Sequence, residues 1–302
     1  MYDVIVIGGG PAGLTAALYS RRAGKTALVI EKSTFGGQIT FSPCVENIPG
    51  FTSLSGNEFA EKMVDQAIFQ GVEMENYTVT GVKTEEGKIT VSTDGGDFEA
   101  RAVIIATGAK HRLLGLPREE EFVGNGISFC AVCDGAFYTG ADVAVIGGGN
   151  SALQEALLLA DLAKRVTVVQ NLDFLTGEKA LEEKLREREN VKIITGSVVD
   201  AYLGASELTG IRIKEEKSGK TADIAVSGVF LAVGLIPQNE PFSELIKLDE
   251  RGYALSGEDC RTDRKGVFVA GDCRRKRIRQ VTTAAADGAV AALAACDYID
   301  GK

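Results

Sequence analysis

Tyr2-Asp3-Val4-Ile5-Val6-Ile7-Gly8-Gly9-Gly10-Pro11-Ala12-Gly13 is the stretch that decides the fold. An apolar run of buried-strand length passes straight into a G-x-G-x-x-G turn, and residues 14–22 carry Ala, Leu and Tyr at helix-compatible spacing. Thr26-Ala27-Leu28-Val29-Ile30 is a second apolar strand that ends at Glu31. Strand, glycine turn, helix, strand and acid in this order build a dinucleotide cradle. The glycines let the backbone turn sharply and approach a pyrophosphate, while the helix aims its N-terminal amides and positive dipole end at that anion. Glu31, 18 residues after Gly13, stands where a carboxylate accepts the ribose hydroxyl protons.

The plan recurs 139 residues later. Val143-Ala144-Val145-Ile146 leads into Gly147-Gly148-Gly149-Asn150-Ser151-Ala152, a helix is expected over 152–163, and Val166-Thr167-Val168-Val169-Gln170 is the next strand. Each unit is followed by short alternating segments that read as an antiparallel meander, such as Lys88-Ile89-Thr90-Val91-Ser92-Thr93 in the first and Gly210-Ile211-Arg212-Ile213-Lys214 in the second. A buried strand closes each, Val103-Ile104-Ile105-Ala106-Thr107-Gly108 and Gly228-Val229-Phe230-Leu231-Ala232-Val233-Gly234. This is internal duplication and not a solenoid of short repeats. Two nucleotide units in one chain suggest electron transfer between two cofactors. The fold class is therefore α/β with two Rossmann-like domains. A helix over 56–70, the strand Gly266-Val267-Phe268-Val269-Ala270 running into Gly271-Asp272, and an Ala-rich helix over 280–299 complete the outline.

The 302 residues, 45% hydrophobic and 25% charged, suffice for about two domains of ~150 residues. Disordered and fibrous classes are excluded. A net charge of −9 disfavours binding to nucleic acid or anionic lipid. No apolar run reaches the roughly 18–20 residues of a membrane span, and Met1 leads into the first strand without a signal-like region, so a cytoplasmic location is expected. Six cysteines are too few for a disulfide scaffold of this length.

Two of those cysteines stand together in Phe129-Cys130-Ala131-Val132-Cys133-Asp134-Gly135, just ahead of the second nucleotide strand. Thiols at this spacing can close a small ring, and each can lower the other's pKa, which favours thiolate attack and reversible oxidation. Half a zinc site and an incidental pair are the other readings. Zinc needs two more ligands, yet the single histidine is His111 and Cys44, Cys260, Cys273 and Cys296 are scattered, so no metal is expected and redox chemistry is the reading the spacing favours. Asp134 is either a proton donor and acceptor for a thiol or a turn-forming Asp-Gly.

With Gly8 to Gly13, Gly36-Gly37-Gln38, Glu46-Asn47-Ile48-Pro49-Gly50, Ala106-Thr107-Gly108, the Cys130 to Gly135 stretch, Gly271-Asp272 and Arg279-Gln280 in place, nearly the whole chain resembles the low-molecular-weight thioredoxin reductases, flavin-dependent pyridine-nucleotide disulfide oxidoreductases. The resemblance implies an FAD domain from residues 1–113 and 242–302, with 114–241 inserted as a central NAD(P)-type domain. It implies FAD on Gly8, Gly10, Pro11, Ala12 and Gly13, with Glu31 on the adenosine ribose. It also implies Gly37, Gln38, Asn47, Ala106, Thr107 and Gly108 near the cofactor, and Gly271, Asp272, Arg279, Gln280 and Val281 closing over ribitol and isoalloxazine. Cys133 would face the flavin and Cys130 would attack the substrate disulfide of a thioredoxin-like protein. Asp134 would move the proton, the central domain would rotate between its two partners, and the enzyme would be a homodimer.

The electron-donor site departs from that family. NADPH-using members follow the second strand with His-Arg-Arg and a further Arg, which grip the 2'-phosphate. Here the strand ends in Gln170, and the arginine positions read Asn171, Leu172 and Thr176. Gly147, Gly149, Asn150, Ser151 and Ala152 still form a pyrophosphate cradle, so reduced ferredoxin, NADH tolerated by Gln170, and NADPH held by residues elsewhere all stand as donors. A flavin reductase of a small molecule or ferredoxin without disulfide chemistry, and a non-catalytic FAD redox sensor, are the alternatives to the disulfide reductase. Arg274-Arg275-Lys276-Arg277-Ile278-Arg279 is expected to be mainly a solvated loop, with a part in neutralising pyrophosphate or docking an acidic carrier as the sharper reading. His111 is expected in a hydrated linker, 184–188 on a charged helix face, and the four scattered cysteines as buried or spare thiols.

Overall fold

The computed structural model describes residues 1–42, 45–85 and 87–302. It divides into two compact units, one formed by residues 1–40, 48–110 and 236–302 and the other by residues 41–47 and 111–235. Both are Rossmann-like α/β units, and the second is inserted in the first.

In the first unit the strand Tyr2–Ile7 lies between Ala27–Ile30 and Gly96–Ile105, parallel to both. Glu73–Glu75 adds to one side of this parallel set and Val267–Val269 to the other. Parallel strands covered on both faces read as continuous apolar runs, and Val4, Ile5, Val6, Leu28, Val29, Val103 and Ile104 are fully buried. Gly96–Ile105 is long enough to serve twice. Its first half pairs antiparallel with Lys88–Thr93, which pairs with Val79–Glu85, so the expected meander is an extension of the nucleotide sheet. The helix Pro11–Arg22 begins at Pro11, three residues before the expected start, because proline is preorganised for the first helical position. Gly56–Phe69 carries a capping box: Ser55 Oγ accepts the Glu58 N–H at 3.1 Å and Glu58 returns the bond to the Ser55 N–H at 2.7 Å. The C-terminal helix Val281–Ile299 packs against Pro11–Arg22, so closely that a Cβ on Gly288 would fall 2.1 Å from the Ala12 carbonyl oxygen.

The second unit repeats the core: Val191–Ile194, Arg165–Val169, Asp142–Ile146, Gly228–Leu231 and Ile127–Ser128, all parallel in that order. Its meander, Ser197–Leu203, Gly210–Glu215 and Thr221–Ala225, is a separate antiparallel sheet. The helix after the glycine turn runs Asn150–Ala160, earlier at both ends than the expected 152–163. Lys184 and Arg186 lie in the last turn of the helix Lys179–Arg186, and Arg188 beyond it pairs with Asp161 at 2.8 Å. No helix among the described residues is long and apolar enough to cross a membrane.

Two expectations are corrected. His111 ends the short strand Ala109–His111, where its ring stacks on Phe129 with 4.3 Å between centroids, and burial pulls its pKa down to about 4. It is a packed, neutral imidazole and not a hydrated linker residue. The 274–279 segment is solvated only in part: Arg275, Arg277 and Ile278 are exposed, whereas Arg274, Lys276 and Arg279 are packed. The Arg274 side chain is 12% exposed and bonds both carboxylate oxygens of Asp287 at 2.9 Å. Lys276, 9% exposed, reaches Asp287 at 2.9 Å and Asp272 at 3.3 Å. Asp287, on the C-terminal helix, is what draws these two cations inward.

Candidate functional site

The first glycine turn is shaped for close approach. Gly8, with φ +112°, accepts no side chain, since a Cβ there would lie 2.4 Å from the Ala106 carbonyl oxygen. A Cβ on Gly13 would lie 1.8 Å from the Gly8 oxygen, while Gly10 has nothing nearer than 3.8 Å and leaves its surface open to a ligand. The N-cap of Pro11–Arg22 is Gly10, and no side chain caps that helix, so its first-turn amides are available to an anion. Glu31 lies against the turn with Oε2 accepting the Gly9 N–H at 2.7 Å and Oε1 the Ser33 N–H at 2.9 Å. Gly37 lies against Gly10, where a Cβ would come 3.0 Å from the Gly10 Cα, and Gln38 is exposed beside it.

The opposite wall of this site comes from the end of the chain. A Cβ on Gly271, at φ +80°, would stand 2.8 Å from the Ala12 Cβ, which places Asp272 beside the turn. Burial raises the Asp272 pKa, and its Oδ1 is a buried acceptor near Lys276 but without a well-aligned hydrogen-bond donor. A ligand hydroxyl would supply that donor. Arg279 lays its guanidinium over the Tyr253 ring at 4.2 Å, the Gln280 N–H donates to Thr283 Oγ1 at 3.1 Å, and Val281 starts the helix. Thr107 Oγ1 donates to Asn239 Oδ1 at 3.4 Å, and Asn239 Nδ2 donates to the Gly252 and Cys273 carbonyls at 2.9 and 2.6 Å. Fully buried Asn239 thus ties the Ala106-Thr107-Gly108 strand end to the Gly271-Asp272-Cys273 turn. Neither it nor Asp287 was singled out by sequence; an Asn before Glu240-Pro241 and an Asp inside an Ala-rich helix were the signals.

In the second unit Cys130 and Cys133 form a disulfide at the start of the short helix Ala131–Asp134. Val132 and Phe137 flank it as exposed apolar side chains. Asp134 follows the disulfide: its Oδ2 accepts from Ser128 Oγ at 2.5 Å, and its Oδ1 is buried with no hydrogen-bond partner among the described residues. Burial raises its pKa against the opposing effect of Ser128, an environment that the Asp-Gly turn reading alone does not account for. Asn47, in the segment that belongs to this unit, brings Nδ2 to 3.9 Å from Cys133 Sγ. Cys260, Cys273 and Cys296 are buried free thiols, and Cys44 lies outside the described residues.

The second glycine turn keeps the geometry of the first. Gly147 has φ +130°, and a Cβ on it would lie 2.6 Å from the Ala232 oxygen. Ala152 is buried, Ser151 is exposed, and Asn150 exchanges two hydrogen bonds with Glu178 at 2.9 and 2.6 Å. Gly149 precedes the helix without a capping side chain. Gln170, only 5% exposed, tucks under Gly148, and its Nε2 donates to the Phe174 carbonyl at 3.4 Å. Leu172 and Phe174 are exposed, and Asp173 is paired with Lys217 at 2.7 Å.

Comparison with known proteins agrees with this geometry. The family described as pyridine nucleotide-disulphide oxidoreductase matches residues 2–288. The chain is 40% identical over 300 residues to the thioredoxin reductase of Treponema pallidum, covering 99% of this chain and 97% of that one. It is 41% identical over 301 residues to the 34.2 kDa protein in rubredoxin operon of Clostridium pasteurianum, covering 99% and 98%. The crystal structure of thioredoxin reductase from Streptococcus pyogenes superposes with a TM-score of 0.94 at 39% identity, covering 100% and 99%. With a disulfide one residue from a buried carboxyl and two glycine turns on Rossmann-like sheets, the chain belongs to the pyridine nucleotide-disulphide oxidoreductase family.

Proposed function

We propose that this chain is an FAD-dependent thioredoxin-disulfide reductase that passes two electrons to the Cys130–Cys133 disulfide and on to a thioredoxin-like protein. The observation that carries the reading is the disulfide backed by Asp134, in a chain related over its full length to proteins named thioredoxin reductases. Gly8, Gly10 and Gly13 would hold FAD, in a domain of residues 1–113 and 242–302, and the bound flavin would supply the electron pair that opens the disulfide. Glu31 would hold its ribose and Asp272 its ribitol. In the central domain, residues 114–241, the Cys130 thiolate attacks the partner's disulfide, and Cys133 closes back on Cys130 to release the reduced partner. Asp134 takes and returns the thiol proton. The enzyme is a cytoplasmic homodimer.

The donor does not use a 2'-phosphate clamp. Support comes from Gln170, whose amide is occupied inside the turn, and from the uncharged Asn171, Leu172 and Thr176 beyond it. Reduced ferredoxin is the first candidate, with NADH at Gln170 as the second. The test is anaerobic titration of the flavin-loaded protein with NADPH, NADH and photoreduced ferredoxin, followed by the flavin absorbance. Bleaching by ferredoxin with neither nicotinamide active at micromolar concentration is expected; rapid bleaching by NADPH overturns the donor reading. In the same preparation Cys130→Ser should lower thioredoxin reduction on the order of a thousandfold or more while the flavin is still reduced. Full activity of that variant would turn the protein into a plain flavin reductase.

A further inference from the structure

Behind the disulfide is a second buried carboxyl that the reaction as described does not use. Gly135 packs on one stripe of the helix Asn150–Ala160 and the turn after it: a Cβ there would touch Leu162, Leu159 and Leu158 at 3.3, 3.4 and 3.8 Å. Glu155 sits one turn before Leu158 and Leu159 on the same stripe, and Asp134, immediately before Gly135, ends the short helix that packs against it. Asp134 Oδ1 and Glu155 Oε2 are both buried, and neither has a hydrogen-bond partner among the described residues. A buried carboxyl oxygen without a donor is satisfied at least cost when its own group holds a proton.

We propose that Glu155 is a positioning residue for the disulfide chemistry, kept as a neutral acid against Asp134 so that the pair carries one proton and one negative charge. Burial first, and the charge of Asp134 second, push the Glu155 pKa up to about 8. The inference rests on the thiol–disulfide exchange proposed above. When an enzyme thiol attacks the partner's disulfide, its S–H bond breaks and an O–H bond forms on Asp134. One S–S bond forms as the partner's S–S bond breaks, and the proton then passes from Asp134 to the expelled partner thiolate. The pair returns to one proton, and two carboxylates are never ionised together in the interior. The other ionisable groups on elements packed against this helix are Tyr138, Asp142 and Arg165, together with Lys179, Glu182, Glu183, Lys184 and Arg186 of the neighbouring helix; Asp134 is the one whose charge is felt at Glu155.

The test uses the full-length, flavin-loaded protein. Infrared difference spectra between the oxidised and dithionite-reduced states, in light and heavy water, should contain the isotope-sensitive carbonyl stretch of a protonated carboxyl. That band should vanish in Glu155→Gln, move in Glu155→Asp and shift in Asp134→Asn. A wild-type spectrum without the band, or a Glu155→Gln spectrum that retains it, overturns the proposal. Because no thioredoxin is present, this result stands apart from failure of the substrate reading. In turnover, wild-type kcat should fall about tenfold per unit above pH ~8 as Glu155 ionises, whereas Glu155→Gln should lack that limb with KM for thioredoxin unchanged. An unaltered pH profile would make Glu155 merely structural.

Discussion

The two glycine turns are nearly the same object built twice, and they differ where function would differ. In each, the first glycine amide bonds the end of the next strand, Gly8 to Ile30 at 2.8 Å and Gly147 to Val169 at 2.9 Å. In each, the returning strand bonds the end of the first, Ala106 to Ile7 at 2.8 Å and Ala232 to Ile146 at 2.9 Å. At the strand end, however, one turn has Glu31, whose two oxygens are hydrogen-bonded at the rim, and the other has Gln170, folded inward. Behind the first turn the C-terminal helix closes in at Gly288; the second unit has no counterpart of that helix among the described residues. Backbone architecture is therefore retained after duplication, while the side chains that select a ligand are free to diverge.

The strongest way to break the symmetry is at the third glycine position. Gly13→Ala would drive a methyl to 1.8 Å from the Gly8 oxygen, in a helix that Gly288 and Gly271 prevent from backing away. A loss of about 3 kcal/mol or more and purification without flavin are expected. The matching change in the second unit, Ala152→Gly, should cost only about 1 kcal/mol through helix propensity and leave flavin content intact. Absorbance ratios of the purified variants and their melting temperatures read both effects. Flavin retained in full by Gly13→Ala would show that the crowding of the first turn has no bearing on the cofactor.

Much of this was legible in the sequence because its signals are local. A strand running into G-x-G-x-x-G, an acid 18 residues on and a C-x-x-C each declare themselves within a short window. The residues that escaped are set by tertiary placement. Of Glu119, Glu120 and Glu121, only Glu119 is buried, accepting backbone amides of 114–116 and the Tyr202 hydroxyl, and nothing in that run distinguishes it. Glu155 looks like any helix glutamate until the segment of the disulfide is packed against its helix. His111 reads as a linker residue because its stacking partner, Phe129, is 18 positions away. The Arg274 to Arg279 run reads as solvated because Asp287, which neutralises part of it, sits in a different element.

A smaller perturbation sharpens the comparison at the donor site. If the second turn is intact and lacks only its anion-binding side chains, then Leu172→Arg and Thr176→Arg should restore binding of a 2'-phosphate. Each charge-assisted contact contributes about 1.5–3 kcal/mol, or roughly 10- to 150-fold in affinity. Stopped-flow reduction of the flavin by NADPH should therefore become saturable at lower concentration in the single variants and lower still in the double, with NADH little changed. Equal gains for both nucleotides would mean that the arginines act on the pyrophosphate and not on the 2'-phosphate.

The smallest contrast lies at the aspartate immediately before the apolar run of each opening strand, Asp3 and Asp142. Asp3 Oδ2 accepts the Thr26 N–H at 2.9 Å and the Thr26 hydroxyl at 3.0 Å, and Oδ1 accepts from Arg101 at 3.2 Å. Burial alone would raise its pKa, but the bonds from Thr26 and Arg101 outweigh it and hold the carboxyl below its ordinary value. Asp142 Oδ1, in the equivalent place, is buried with no partner. Asp3→Asn should accordingly cost about 1–2 kcal/mol at neutral pH, and Asp142→Asn close to nothing. The sign with pH follows from the lowered folded value. Below the ordinary 3.8 the unfolded chain binds the proton first, so the Asp3 contribution is complete above that pH and disappears as pH falls through the folded pKa. Urea unfolding at pH 7 and again below pH 3.8 should show the gap between wild type and Asp3→Asn closing in acid. A gap of the same size at both pH values would assign the loss to the geometry of the Thr26 pairing and not to the charge of Asp3.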